Sequence, residues 1–209
     1  MNNTKIFNLI LLITFVGEFL VPFILKFFYP NYQWTKMAMS VLGSPESPVK
    51  YIYRFWLIWL GFILCVLSYS YYQNTKQISF PISIMLFVFI LIFAIGAGIL
   101  SGIFSVNENK EVVSVSSIIH GIGASIGFML LLFVPLLLSI IEFKKTNIIM
   151  GLIFISVFIL GFISFAFFVM SDKEKFKDTF IDNEGLWERY SLFFMYFPFI
   201  VNSIKKLVS

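Results

Sequence analysis

Charge, histidine and cysteine are all scarce in this sequence. Only 12% of its 209 residues are charged, about half the roughly 25% usual in a soluble domain. Fifty-nine percent are hydrophobic, and mean hydropathy is +0.94. A chain of this size leaves much of its surface outside any core. That much apolar surface therefore cannot be hidden from water, which excludes a soluble enzyme, a disordered chain and a fibrous repeat. The one cysteine, Cys65, lies in an apolar run and excludes an intramolecular disulfide. The one histidine, His120, excludes a multi-histidine metal centre. No metal and no cofactor is expected. The net charge of +4 comes from lysines beside apolar segments. No basic face with interleaved aromatics stands outside them, so no nucleic-acid partner is expected.

What the sequence has in excess is phenylalanine, 28 residues of it, which suits helix surfaces that face acyl chains. Six apolar segments stand between charged punctuation, each near the roughly 20 residues that cross a bilayer. They predict an all-α, integral membrane bundle of six transmembrane helices in one domain spanning 1–209. The helices are expected at about 6–28, 53–72, 79–104, 113–141, 148–170 and 185–205. The runs are continuous, without the alternation over about 10 residues that marks a membrane barrel. The first segment follows Lys5 but carries Glu18 and no small-x-small cleavage site, so it reads as a retained helix rather than a signal peptide.

Six spans place both termini on one side, with loops 2 and 4; loops 1, 3 and 5 lie opposite. Six basic residues fall on the tail side (Lys5, Lys76, Lys144, Lys145, Lys205, Lys206) and nine opposite, among them Lys110 in loop 3. Counted literally, that opposes cytoplasmic termini. Cytoplasmic termini are nevertheless favoured, because loop 5 mixes its lysines with acids and Arg54 and Arg189 sit inside helix beginnings.

Small residues suggest a close helix pair. Gly98 and Gly102 in helix 3, and Gly123 and Gly127 in helix 4, are each four apart, so each pair shares a helix face where backbones can approach. Pro22, Pro135 and Pro198 mark kink positions in helices 1, 4 and 6.

The informative polar residues are those at membrane depth. Glu18 lies about 12 Å from the end of helix 1 at Lys26, and His120 about 13 Å along helix 4 from Glu111, at 1.5 Å per residue. Both depths are measured from the side of loops 1 and 3. A carboxylate there costs about 2.5–3.5 kcal/mol even on a mild insertion scale, so Glu18 is expected to pair with His120, Arg54 or Arg189. Arg54 and Arg189, the latter beside Glu188, begin helices 2 and 6 from the same face. Ser40 lies in a first loop of more than 20 residues (30–51), long enough to be structured or functional. Its aromatics Tyr32, Trp34, Tyr51 and Tyr53 suit the headgroup region. Ligand-binding candidates are therefore Glu18, Ser40, Arg54, His120, Glu188 and Arg189. Ser40, His120 and Glu18 form a Ser–His–acid set on paper, without a nucleophile elbow to support it.

Several short motifs carry a resemblance. Tyr29-Pro30-Asn31-Tyr32, then Ser40-Val41-Leu42-Gly43 and Pro48, followed by Gly98 to Phe104, His120, and Gly185-Leu-Trp-Glu-Arg189, resemble in order the bacterial and archaeal membrane family called domain of unknown function 998. The family often has an acid where Val41 stands and a proline where Ser105 stands. The resemblance implies a compact helical protein of a prokaryotic plasma membrane and no established activity. The Ser-x-Leu-Gly loop has a fainter similarity to DRAM-like membrane proteins, some tied to lipid handling.

Three readings of function remain open. The first is a non-catalytic protein that binds a lipid headgroup or small anion, with Arg54 and Arg189 as an anion clamp. The second is an intramembrane lipid-modifying enzyme using His120, with Ser40 as nucleophile. The third is a small proton-coupled transporter using Glu18 and His120, although no internal repeat of the kind many carriers have is visible. Membrane lipids are the expected partners; the sequence does not speak to oligomeric state.

Overall fold

The computed structural model describes residues 3–109 and 112–208, so Lys110 and Glu111 lie outside the described residues. Six helices are long and apolar enough to cross a membrane: α1 (Asn3–Phe28), α2 (Lys50–Thr75), α3 (Phe80–Ile103), α4 (Val115–Lys144), α5 (Ile148–Ser171) and α6 (Glu184–Val208). The protein is an integral membrane protein, an all-α bundle of six transmembrane helices. Each helix packs on its neighbours in chain order, and α6 closes back on α1. Short loops 2 and 4 force antiparallel neighbours, and the apolar outer faces (Ile13, Phe55, Phe62, Ile149) stay exposed where lipid would lie.

The interior is aromatic. Phe15 meets Tyr196 and Phe199 at 4.9 and 5.7 Å between ring centroids, and Phe93 meets Tyr196 at 6.1 Å. All four are buried to within 2%. Offset and edge-on ring pairs of this kind add about 0.5–1.5 kcal/mol each beyond area burial.

Glycines set the helix spacing, with one correction to the expected pairing. The tight contact between α3 and α4 is made by Gly96 and Gly123: a Cβ on Gly123 would stand 3.0 Å from the Gly96 carbonyl oxygen. Gly98 and Gly102 instead face α2. A Cβ on Gly98 would lie 2.7 Å from the Gly61 Cα, and one on Gly102 would lie 2.7 Å from the Arg54 carbonyl. Gly98 and Gly102 keep a common face, but it is the one towards α2; Gly96, two residues before Gly98 and so on nearly the opposite face, is the one that meets α4. A π-helical stretch, Ala94–Leu100, runs through this part of α3.

One of the three prolines adjoins a helix break. Pro22 and Pro198 lie inside continuous helix. Pro135 follows a break at Phe133, which divides α4 into Val115–Leu132 and Val134–Lys144. The second half packs along α5, whereas the first half barely touches it. The two helices therefore part towards the side of loops 3 and 5. α4 also begins slightly later than expected, because Ser114 caps it: its hydroxyl accepts from the Ser117 N–H at 3.1 Å, and the Ser117 hydroxyl accepts from the Ser114 N–H at 2.9 Å.

Candidate functional site

The parting of α4 from α5 leaves a cavity of about 700 Å³, within the roughly 300–1,000 Å³ of small-molecule sites. Glu18, Ser40, His120 and Glu188 all line it. Four of the six predicted site residues thus meet in one place. Gly121, Ala124, Ser125, Phe128 and Met129 of α4 form one wall, and Phe165, Phe168 and Val169 of α5 the other. Met129 and Val169 are each about half exposed, at 51% and 49%, so the cavity rim reaches the lipid-facing surface. Phe128 spans the cleft, 6.3 and 6.0 Å from Phe165 and Phe168.

Glu18 does not take the partner expected of it. Its Oε2 accepts the Trp56 indole N–H at 2.7 Å, and no hydrogen bond joins it to His120 or to either arginine. The indole reaches it by lying across Gly17, where a Cβ would meet the Trp56 ring at 2.8 Å. A second indole bond, Trp59 to the Thr14 hydroxyl at 3.2 Å, holds α1 and α2 in the same register.

His120 hydrogen-bonds the Phe104 carbonyl through Nδ1 at 2.9 Å. A carbonyl only accepts, so Nδ1 is the donor in this bond. The cavity also gathers polar residues outside the predicted set: Tyr53, Ser101, Ser125, Asp172, Lys173 and Glu184. Tyr53 is 1% exposed, a correction to its expected headgroup position. Tyr51, two residues earlier and expected in the same region, is 76% exposed.

The cavity has a roof, and it is loop 1. The segment Met39–Gly43 forms a 3-10 turn with Met39, Val41 and Leu42 buried. Ser40 is the member that lines the cavity. The motif at the start of α6 holds the roof down. The Met39 N–H donates to Glu188 Oε2 at 2.6 Å. Arg189 donates to the Trp34 carbonyl at 2.8 Å, the Tyr32 hydroxyl at 2.7 Å and the Gly185 carbonyl. Its guanidinium also stacks 3.6 Å from the centre of the Trp34 ring. Gly185 lets loop 1 approach: a Cβ there would stand 2.6 Å from the Trp34 carbonyl oxygen. Arg54 donates to the Gly43 carbonyl at 2.7 Å. Neither arginine lines the cavity. Both neutralise loop carbonyls that would otherwise be buried unsatisfied.

Further ties reach the other loops. Tyr29 donates to Glu108 of loop 3 at 2.6 Å, and Lys36 bridges to Asp182 of loop 5 at 2.8 Å. Burial, followed by the bond to Glu108, pushes the Tyr29 phenol up to about 12. The Lys36 ammonium, bonded to Asp182, holds that carboxyl below its ordinary value.

No hydrogen bond connects Ser40, His120 and Glu18, and among the described residues no three His, Cys, Asp or Glu side chains are grouped to hold a metal ion. The latch of loop 1 by Gly185, Glu188 and Arg189 accounts physically for the motifs at both ends of the chain. The family described as "Protein of unknown function (DUF998)" matches residues 12–204. The chain belongs to this family. No curated protein and no solved structure matches it. The matched region takes in both the roof and the latch, and every family motif named above except His120 lies in the loop-1 roof, its latch or the glycine contacts of α3.

Proposed function

We propose that the protein binds a membrane amphiphile between its helices, with the head under loop 1 and the chain in the cleft between α4 and α5. The observation that carries this reading is the two-ended lining of one cavity. One end has Glu18, Ser40, Tyr53, His120 and Glu188; the other has Phe128, Met129, Phe165, Phe168 and Val169. A ligand that is apolar throughout would set hydrocarbon against these polar side chains, which is costly. A purely polar ligand would waste the phenylalanine walls. Lipid therefore supplies the ligand class, and membrane lipids are the partners. The proposal needs no nucleic acid, metal or cofactor.

It also keeps the termini cytoplasmic in a prokaryotic plasma membrane. Support comes from Lys145, Lys205 and Lys206, which gather at a smaller hollow on the tail side, where anionic headgroups attract basic side chains. A C-terminal fluorescent-protein fusion, bright only when the tail is cytoplasmic, tests the orientation.

The binding reading is tested by native mass spectrometry of the full chain released from neutral detergent. A retained amphiphile is expected, and it is lost in Ala124→Phe, which fills the cleft. A bare spectrum from several gentle detergents would contradict the reading.

A further inference from the structure

One phenol and two serine hydroxyls along the cavity have no partner among the described residues. Tyr53 lies near the start of α2, and its ring is held beneath loop 1: a Cβ on Gly43 would stand 3.4 Å from the Tyr53 Cδ1. The side chain is 1% exposed and lines the cavity, yet no hydrogen bond to a described residue reaches its hydroxyl. Ser44 Oγ, Arg189 Nε and Tyr196 OH are sealed in the interior without a partner. The Tyr53 hydroxyl is not one of these sealed atoms, so the trace of surface it keeps faces the cavity. Serines within helices often donate to a carbonyl of their own helix, as Ser68, Ser156, Ser164 and Ser191 do at 2.7 to 3.0 Å. Ser125, on the α4 wall, makes no such bond, and Ser40 in the roof is likewise uncommitted; both line the cavity.

The charged groups around the cavity are engaged already. Glu184, Glu188 and Asp172 each interact elsewhere within the chain, so the head is not read from them. Glu18 accepts from Trp56 at 2.7 Å. Arg54 and Arg189 are bonded to loop carbonyls. Lys173, the one Lys or Arg in the lining, is exposed just past the end of α5. An anionic head beneath loop 1 would therefore lack a cation. A charged head of either sign would also have to shed its water, at a cost far above that of a neutral group. A neutral hydroxyl both donates and accepts. Facing Tyr53, Ser40 and Ser125, which do the same, it can form each bond in either sense.

We infer that the head taken by this cavity is uncharged and hydroxyl-bearing, of the alcohol or glycerol type, with the Tyr53 hydroxyl as its anchor. The inference rests on the binding reading above. The head lies beneath loop 1, bonded to Tyr53 and to Ser40 of the roof. The Tyr53 ring is packed, so its hydroxyl is positioned before a ligand arrives, which lowers the ordering cost of binding. Ser125 stands five residues past His120, about 7.5 Å further along α4 at 1.5 Å per residue. It takes a second hydroxyl or an ester carbonyl of a glycerol head. The chain follows the phenylalanine wall towards the rim at Met129 and Val169.

The test uses the full chain in phosphatidylcholine nanodiscs, whose lipid carries no free hydroxyl. Three photoreactive probes share one chain, with a diazirine near its end, and differ only in the head: alcohol, amine or carboxylate. Binding is read by mass spectrometry as the ratio of label on Phe128, Phe165 and Phe168 to label on outward-facing Phe55 and Phe62, which corrects for partition into the bilayer. The alcohol is expected to give the highest ratio. Tyr53→Phe, which keeps the ring against Gly43, is expected to lower it about fivefold, the worth of one hydrogen bond. Ser40→Ala is expected to lower it in the same direction, and it stands in if Tyr53→Phe does not fold. Tyr196→Phe, which removes a buried hydroxyl outside the cavity, is expected to leave it unchanged. A ratio for amine or carboxylate equal to or above that of the alcohol would overturn the head assignment and leave amphiphile binding standing. So would an alcohol ratio unmoved by Tyr53→Phe and Ser40→Ala, or one lowered as much by Tyr196→Phe. No cleft label above the outer-face level with any head would overturn both.

Discussion

The backbone N–H of Met39 donates to the carboxylate of Glu188 at 2.6 Å. One side chain of α6 thereby fixes the loop that covers the cavity, and presents its carboxyl group to the cavity as well. Roof and polar end are built on the same residue. Disturbing the latch is therefore expected to disturb the site.

Arg189 is the second half of the latch, and Arg189→Ala removes its bonds to Tyr32, Trp34 and Gly185 together with the stack on Trp34. Bonds to a charged group contribute about 1.5–3 kcal/mol each. A loss of about 3 kcal/mol or more is expected in unfolding free energy. Hydrogen exchange should rise over residues 34–42 before it rises elsewhere. Arg189→Lys is expected to fail as a rescue, because a lone ammonium neither forks nor stacks as a guanidinium does. Unchanged protection of loop 1 in Arg189→Ala would show that the latch does not hold the roof.

Gly185→Ala brings a Cβ against the carbonyl oxygens of Trp34 and Met37. These are backbone atoms and cannot swing aside. The expected cost is about 1–3 kcal/mol, typical of overpacking, with the same local loosening of loop 1.

Two glycines of the α3–α4 region are expected to behave oppositely. Gly96→Ala collides with the Gly123 backbone, whereas a Cβ on Gly121 meets nothing within 4 Å. Thermal unfolding should show Gly96→Ala destabilised by about 1–3 kcal/mol. Gly121→Ala should be neutral or gain up to about 1 kcal/mol through the unfolded chain.

The bridge between Lys36 and Asp182 ties loop 1 to loop 5, and it predicts a pH dependence. The folded Asp182 carboxyl titrates below its ordinary value, chiefly through the hydrogen bond from Lys36. Its contribution is present in full above the unfolded value of about 3.9 and is lost as pH falls through the lower folded value. Limited proteolysis of loops 1 and 5 should accelerate below about pH 4. In Asp182→Asn this acid-induced step should be absent, with cleavage faster at neutral pH.

The fold was legible because each span combines length with low charge, and a bilayer admits few alternatives for such segments. The convergence of Glu18 and His120 was legible from depth alone: two residues about equally far from the same face, in helices that must bury them. Direction around the helix was not legible. Arg54 and Arg189 begin helices on the correct side, but their heads follow the path of loop 1, which spacing does not reveal. The π-helical stretch of α3 was hidden for a related reason. Its winding is stabilised by close contacts with Gly61 and Gly123, and those contacts exist only once α2 and α4 are in place. Trp56 as the partner of Glu18 depends equally on Gly17 leaving room for an indole between α1 and α2.

The central claim is that an amphiphile occupies the cleft between α4 and α5 rather than merely coating the outside of the bundle. Photo-crosslinking of the full chain in lipid nanodiscs with a long-chain amphiphile carrying a diazirine near the chain end tests it most directly. The account predicts labels concentrated on Phe128, Phe165 and Phe168, suppressed in Ala124→Phe. Labels spread over outward-facing Ile13, Phe55, Phe62 and Ile149, with the cleft unlabelled, would contradict it.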